Sequence, residues 1–364
     1  MTVLIHQKRR DMLTVGSGFY LGPSGTGKTY ALRNEVEHAL NNTDEIVFVI
    51  SKRGEFNDLA QTYDGLIIDL SKKPLNPLLI LNADKIKKED FNFLSKIKGG
   101  LVKLLVTARI SKLTNLQKYL IDQAITQTYM EFTNPDWSQL VITIEKMIQT
   151  YKDKGIAEKV QALRASLNEI AADLNLSGIQ TDNLLLKDTF LEELELVYDA
   201  VAELSKVATG KEQISLKGHR LIIFDMKDIP CDDIDKYGLL AVEDVLTRLN
   251  GLNPIKRARL CIDDADKLFK HYDKYMSMIY KISKTLGLVI TSAINNTDTF
   301  YSRKSVFRNA SSYYELYGQT GQMAEYLRPL FSLNDEEVDW IKDAPRGQKL
   351  VICAGNKFLI KAMN

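Results

Sequence analysis

The residues best suited to chemistry lie in one short run, Gly22-Pro23-Ser24-Gly25-Thr26-Gly27-Lys28-Thr29. It matches G-x-x-x-x-G-K-[ST] at every fixed position. Glycines at this spacing let consecutive backbone N–H groups converge on one concavity, and that nest, with the N-terminus of a following helix, binds phosphate oxygens. In such a loop Lys28 would reach the β- and γ-phosphates of a nucleoside triphosphate, and the Thr29 hydroxyl would ligate Mg²⁺. The whole run from Gly22 to Thr29, with Tyr30 behind it, is therefore the candidate nucleotide-binding segment, and ATP with Mg²⁺ is the expected ligand pair.

Hydrolysis needs carboxylates as well: one to hold the metal from a neighbouring strand, another to orient the attacking water. Arg259-Leu260-Cys261-Ile262-Asp263-Asp264 is an apolar strand ending in paired acids, with Asp263 suited to the metal and Asp264 to the water. The rival strand end, Leu221–Phe224 with Asp225, is followed by Met226-Lys227 where a second acid is wanted, which favours Asp263. Glu55 is a further candidate for the water, since it follows the strand next in sequence to the phosphate loop. The run Leu288-Val289-Ile290-Thr291-Ser292 should end beside the γ-phosphate, which puts Ser292 among the candidate catalytic residues with Lys28, Asp263, Asp264 and Glu55.

These groups need elements to position them. Gly18-Phe19-Tyr20-Leu21 reads as a buried strand ahead of the loop, and Tyr30–Leu40 as an uninterrupted helix behind it. Glu45–Ile50 is a continuous β-branched run, as in a parallel strand covered on both faces. A short helix over 57–62 and a strand over 65–70 follow, so the chain opens as alternating α and β. From about Asp84 to Gly210 the character changes, with Pro135 the one proline. Trp137, Leu140, Val141, Ile144, Met147, Ile148 and Tyr151 fall at helical spacing behind Asn134-Pro135. Val160, Leu163, Leu167, Ile170, Ala171 and Leu174 do the same, as do Phe190, Leu194, Val197, Val201 and Leu204. About five helices are expected there, with their stripes forming a core of their own. Strand patterns return at 219–225, 260–262, 288–291, 313–317, 350–353 and 358–360, with helices over 238–249 and 275–285. The expected architecture is an α/β fold, a RecA-like P-loop NTPase with a mostly parallel central sheet flanked by helices and interrupted by an all-α insertion. Its domain limits are 1–83 and 214–364 for the two parts of the ATPase domain and 84–213 for the helical insertion.

Composition narrows the classes. With 45% apolar and 26% charged residues the chain is of ordinary globular type. Lys and Arg number 48 against 47 acidic residues, a net +1 that gives no support to DNA as a partner while leaving a local basic lining open. Cys231, Cys261 and Cys353 lack C-x-x-C spacing, which argues for a reducing compartment and against zinc. His6, His38, His219 and His271 form no ligand pattern. No apolar run reaches transmembrane length and no signal-peptide core opens the chain, so a cytoplasmic location is expected. Residues 1–17 read as a hairpin leading into the first strand.

Taken in order, Leu21–Thr29, Ile50-Ser51-Lys52-Arg53-Gly54-Glu55-Phe56, Cys261-Ile262-Asp263-Asp264-Ala265, Ile290-Thr291-Ser292, Leu333-Asn334-Asp335-Glu336-Glu337 and Lys349–Asn356 resemble the motifs of the VirB-four class of type IV secretion ATPases, within the HerA–FtsK group. The resemblance is collinear over nearly the whole chain, helical insertion included. It implies a RecA-like motor using ATP and Mg²⁺, self-assembly into a hexamer (or a monomer in isolation), and docking on the inner face of the cell membrane through other secretion subunits. Family members also carry an N-terminal docking domain, to which nothing here corresponds; the expectation is a C-terminal piece or a short homologue. The family's Asp-Glu pair is Asp263-Asp264 here, its Gln after the sensor strand's Thr is Ser292, and the Asp opening the loop before Glu55 is Ser51. A carboxylate set back by one methylene can cost on the order of a hundredfold in rate, so slow turnover is expected. Arg303 and Arg308 are the candidates for an arginine acting across a subunit interface. The functional expectation is an ATP-hydrolysing motor for conjugative transfer or for pilus or channel assembly. The alternatives are a nucleotide-binding structural subunit with little hydrolysis and a DNA translocase of the HerA–FtsK type.

Overall fold

Apolar β-branched and aromatic runs assemble into one sheet. The computed structural model describes residues 16–81, 88–110, 112–153, 183–208, 214–216, 218–251, 257–296 and 313–360, with Gly210 and Ser311. The expected 1–17 hairpin lies largely outside these residues, as do the 160–174 stripe, Arg303 and Arg308. The chain forms two compact units, one of Met1–Pro74 with Ile214–Asn364 and the other of Leu75–Gln213.

In the first unit the strands are β1 (Gly18–Leu21), β2 (Ile46–Ser51), β3 (Leu66–Asp69), β4 (Leu221–Asp225), β5 (Ala258–Ile262), β6 (Leu288–Ile294), β7 (Tyr313–Tyr317), β8 (Lys349–Cys353) and β9 (Asn356–Ile360). They form a 9-stranded sheet in the order β3-β4-β2-β5-β6-β1-β7-β8-β9. The strands from β3 to β7 in this order run parallel, and β8 and β9 close the edge antiparallel. Strands β4 and β5 are buried along their whole length, which explains runs without alternation. Because the central strands are parallel, their carboxyl ends share one edge, where open α/β sheets bind ligands. That edge receives the loops after β1, β2, β5 and β6.

Helix α1 (Lys28–Asn42) follows the phosphate loop, and α2 (Asn57–Thr62) lies between β2 and β3. Helix α1 buries Ala31, Leu32, Val36, Ala39 and Leu40, a stripe at three- and four-residue steps. Fully burying a side chain such as Leu32 or Val36 contributes about 1.5–3 kcal/mol. On the same face Glu35 is 1% exposed and meets Arg259 of β5, itself 2% exposed and also bonded to Glu45 at 3.0 Å. Tyr20 and Thr291 each donate to the Glu35 carboxylate at 2.7 Å. One charged cluster thus fixes α1 against β1, β5 and β6, the strands whose ends build the site.

In the second unit α3 (Lys88–Thr107), α4 (Asn115–Glu131), α5 (Trp137–Asp153) and α6 (Asn183–Leu204) pack together. Trp137, Leu140, Ile144 and Met147 are buried, with Val141, Ile148 and Tyr151 half-buried along the stripe's margin. Phe190, Leu194, Val197, Val201 and Leu204 of α6 are all buried. The Trp137 indole N–H donates to the Val201 carbonyl at 2.8 Å and joins α5 to α6. The start of α5 is capped by Asp136, whose carboxylate accepts from the Gln139 N–H while its own N–H donates to the Gln139 side chain.

The remaining helices are α7 (Ile234–Gly251), α8 (Asp266–Ser283), α9 (Gly321–Phe331) and α10 (Asp335–Asp343). Helix α8 begins nine residues before the Tyr275 expected from periodicity. Tyr272 has non-helical backbone angles (φ −124°, ψ 33°), yet Leu268, Phe269, Tyr272, Met276, Ile279 and Tyr280 keep one buried stripe through it, so the first half is legible too and was missed.

Candidate functional site

The phosphate loop leaves β1 at the centre of the sheet and enters α1 through Gly27, whose φ of 104° lies in the left-handed region. Gly25 has φ 85° there, and both glycines hold conformations that L side chains resist. The Thr26 hydroxyl donates to Pro23 O at 2.9 Å and closes the loop on itself. The Gly22 N–H donates to Ile294 O of β6 at 3.2 Å and fixes the loop to the sheet.

A cleft of about 710 Å³ opens over this loop. Ser24, Gly25, Gly27, Lys28, Thr29 and Tyr30 line one side; Glu55, Asp263, Asp264 and Asn295 come from the ends of β2, β5 and β6. Lys28 is 4% exposed, and its ammonium donates to the Gly22 and Pro23 carbonyls at 2.6 and 2.7 Å. Burial lowers its pKa to about 8, against the pull of Asp263, Asp266 and Asp264.

Asp263 lies across from the loop. The Thr29 hydroxyl is 3.2 Å from each of its carboxylate oxygens. Burial first, then the Glu55 charge, push Asp263 up to about 6, while the Thr29 hydroxyl and Lys28 oppose the rise. The residues present suit Mg²⁺. A buried carboxylate and a hydroxyl in contact form an all-oxygen pair, and Mg²⁺ is characteristically held by one or two carboxylates together with substrate phosphates.

Asp264 is arranged differently from the water-orienting role expected of it. Its φ is 54°, left-handed for a residue with a Cβ. Lys52 donates to one carboxylate oxygen at 2.7 Å, and the Asn295 side chain donates to the other. Burial raises its pKa, but the hydrogen bond and charge of Lys52 outweigh this and leave it below the ordinary value. Each oxygen accepts one hydrogen bond, and the group braces the ends of β2 and β6 at the margin of the cleft. Glu55 shows the opposite condition: its Oε2 is buried in the cleft wall with no hydrogen-bond partner.

Ser292 is not brought to the cleft. It is fully buried in β6 and accepts a hydrogen bond from the Tyr280 hydroxyl at 2.8 Å. Its neighbour Thr291 points the other way, to Glu35, so neither polar residue of this strand reaches the cleft. Asn295, one residue past β6, does reach it; the sequence signal would have been an amide just beyond the strand's end. Asp225 is held by Asn57 at 2.6 Å and by the Lys227 N–H at 2.9 Å, and it does not line the cleft. Arg33, Arg53 and Arg346 also line it. Arg33 is engaged by both oxygens of Asp58, at 2.7 and 2.6 Å. None of these arginines belongs to the phosphate-loop pattern, which is why motif reading passes over them.

A phosphate loop on a central strand, separated from the acid-bearing strand β5 by β6 alone, defines a RecA-like P-loop NTPase fold. Solved structures share this fold over almost the entire chain. The structure of VirB4 of Thermoanaerobacter pseudethanolicus superposes with a TM-score of 0.72 at 16% identity, covering 96% of this chain and 89% of that one. The plasmid coupling protein TrwB in complex with ADP and Mg²⁺ gives 0.60 at 15% identity, over 98% and 87% of the two chains. TrwB with the non-hydrolysable ATP analogue ADPNP gives 0.61 at 14% identity over the same shares. No protein-family model matches the sequence, and no curated protein matches it.

Proposed function

We propose that this chain is a Mg²⁺-dependent ATPase, the motor subunit of a conjugative type IV secretion system. The observation that carries the reading is the contact of Thr29 with Asp263 at 3.2 Å inside the phosphate-loop cleft. The fold shared with VirB4 and TrwB supports the conjugative setting, and the nucleotide and Mg²⁺ complexes of TrwB support the choice of ligand.

The loop N–H groups and the first turn of α1 bind the triphosphate, and Lys28 turns from the Gly22 and Pro23 carbonyls to the β- and γ-phosphates. Thr29 and Asp263 would hold Mg²⁺, which when bound neutralises charge on the transferring phosphoryl group. Glu55, which lines the cleft and has one oxygen without a protein partner, orients the attacking water and takes its proton. Asp264 acts through position, because Lys52 and Asn295 hold both of its oxygens. Assembly on the inner face of a membrane would come through partner subunits and through further copies of this chain as a hexamer. Among the described residues no helix is long and apolar enough to cross a membrane.

The test is steady-state ATP turnover of the purified chain over a concentration series, beside Lys28→Ala. Turnover that rises more than linearly with concentration and disappears in the variant is expected. Turnover retained in Lys28→Ala would refute the reading; binding without turnover at every concentration would replace it with a nucleotide-sensing scaffold.

A further inference from the structure

We propose that Arg346 is a ligand residue of this cleft and holds the phosphates that a nucleoside diphosphate and triphosphate have in common. The proposal rests on the reading of the cleft as a nucleotide site. Arg346 precedes β8, far along the chain from the phosphate loop, and belongs to no motif.

Three observations place it. The Gln348 N–H donates to Pro345 O at 3.0 Å and closes a four-residue turn, with Gly347 at its third position and φ 83°. That is the left-handed angle a type II turn requires there, and glycine adopts it without strain. Second, the turn is seated on the phosphate loop itself. The Gly347 N–H donates to Thr26 O at 3.0 Å, and a Cβ on Gly27 would lie 3.5 Å from Gly347 Cα and N. The backbone that carries Arg346 is therefore fixed against Thr26 and Gly27, where loop N–H groups meet phosphate. Third, Arg346 lines the cleft with Ser24, Gly25 and Tyr30, is exposed, and forms no ion pair among the described residues.

Its place along the ligand follows from the acids. A guanidinium at the metal end would pair with Asp263, Asp264 or Glu55. Arg346 pairs with none of them, and Asp264 is held by Lys52 instead, at 2.7 Å. Arg346 is thus assigned to the Thr26–Gly27 side, where the loop N–H groups would cradle the phosphates that both nucleotides carry. Its planar fork suits bidentate phosphate binding.

The experiment is equilibrium binding of ADP and of a non-hydrolysable ATP analogue to the full chain, wild type against Arg346→Ala and Arg346→Lys. A hydrogen bond to a charged group is worth about 1.5–3 kcal/mol, or roughly ten- to a hundredfold in affinity. Arg346→Ala is expected to weaken both nucleotides by that common factor, and Arg346→Lys to recover part of it. The melting temperature without nucleotide should stay unchanged, since the side chain has no ion pair to lose. Equal affinity in wild type and Arg346→Ala, or a loss confined to the triphosphate, would overturn the assignment. Failure of the wild type to bind either nucleotide would instead overturn the reading of the cleft.

Discussion

Asp263→Asn should make the unliganded protein more stable while removing its capacity for Mg²⁺. Asp263 is 7% exposed, and its pKa rises from an ordinary 3.8 to about 6, mainly through burial and then through the Glu55 charge. At about 1.4 kcal/mol for each pH unit, that rise corresponds to roughly 3 kcal/mol by which the ionised side chain disfavours the folded state. The sign is the reverse of a salt-bridged carboxylate. The folded state holds the proton more tightly than the unfolded one, so wild-type stability falls as pH rises from about 4 to about 6, and the full penalty stands above that range. Asparagine keeps the shape and a partner for the Thr29 hydroxyl but loses the attraction to Lys28, so a gain of about 1–3 kcal/mol at pH 7.5 is expected. At 2–4 °C per kcal/mol for a unit of this size, the melting temperature rises by about 2–12 °C. The assay is thermal unfolding of both proteins from pH 4 to pH 8 without nucleotide or metal, repeated at pH 7.5 with ADP and Mg²⁺. The difference should be near zero at pH 4, grow to pH 6–7 and level off. Ligand should then narrow or reverse the order, because only the wild type gains from the metal. A variant less stable than wild type at pH 8, or a difference independent of pH, would refute the reasoning.

Arg259→Met leaves Glu35 and Glu45 buried without their counter-charge, and breaking a buried pair in this way costs about 3–5 kcal/mol. Denaturant unfolding at pH 7 measures it; a loss below about 1 kcal/mol would mean that the cluster does not fix α1 to the sheet. In the helical unit Trp137→Ala removes a fully buried ring and the hydrogen bond to Val201, with an expected loss of about 3–5 kcal/mol. Its effect should appear as earlier hydrogen exchange in α5 and α6, with α1 and β5 unaffected.

The strands were legible because parallel, doubly covered strands need uninterrupted apolar runs, as in Val47–Ile50 and Leu221–Phe224. The phosphate loop was legible because its chemistry is local: consecutive N–H groups, a lysine and a hydroxyl all within eight residues. Helix α8 was read only from Tyr275, although Leu268, Phe269 and Tyr272 continue the same buried stripe towards its start. Ser292 was placed as the end of the run Leu288–Ser292, yet the strand continues to Ile294 and buries both polar residues on its alternate faces, Ser292 against Tyr280 and Thr291 against Glu35. Asn295, free of that alternation beyond the strand's end, takes the position at the cleft.

By itself the sequence determined the α/β class, the helical insertion and the loop with the phosphate-binding pattern, because periodicity and motif are properties of neighbours along the chain. Which carboxylate has its oxygens engaged was decided only by the tertiary structure. Asp264 and Glu55 read alike as acids after strands, but Lys52 and Asn295 arrive from two other strand ends to occupy the first and leave an oxygen of the second without a partner. The same holds for Arg346, carried onto Thr26 and Gly27 by a turn whose place depends on how β7 and β8 close the sheet. Contacts between residues hundreds of positions apart depend on strand order, and strand order is fixed by packing the whole sheet at once.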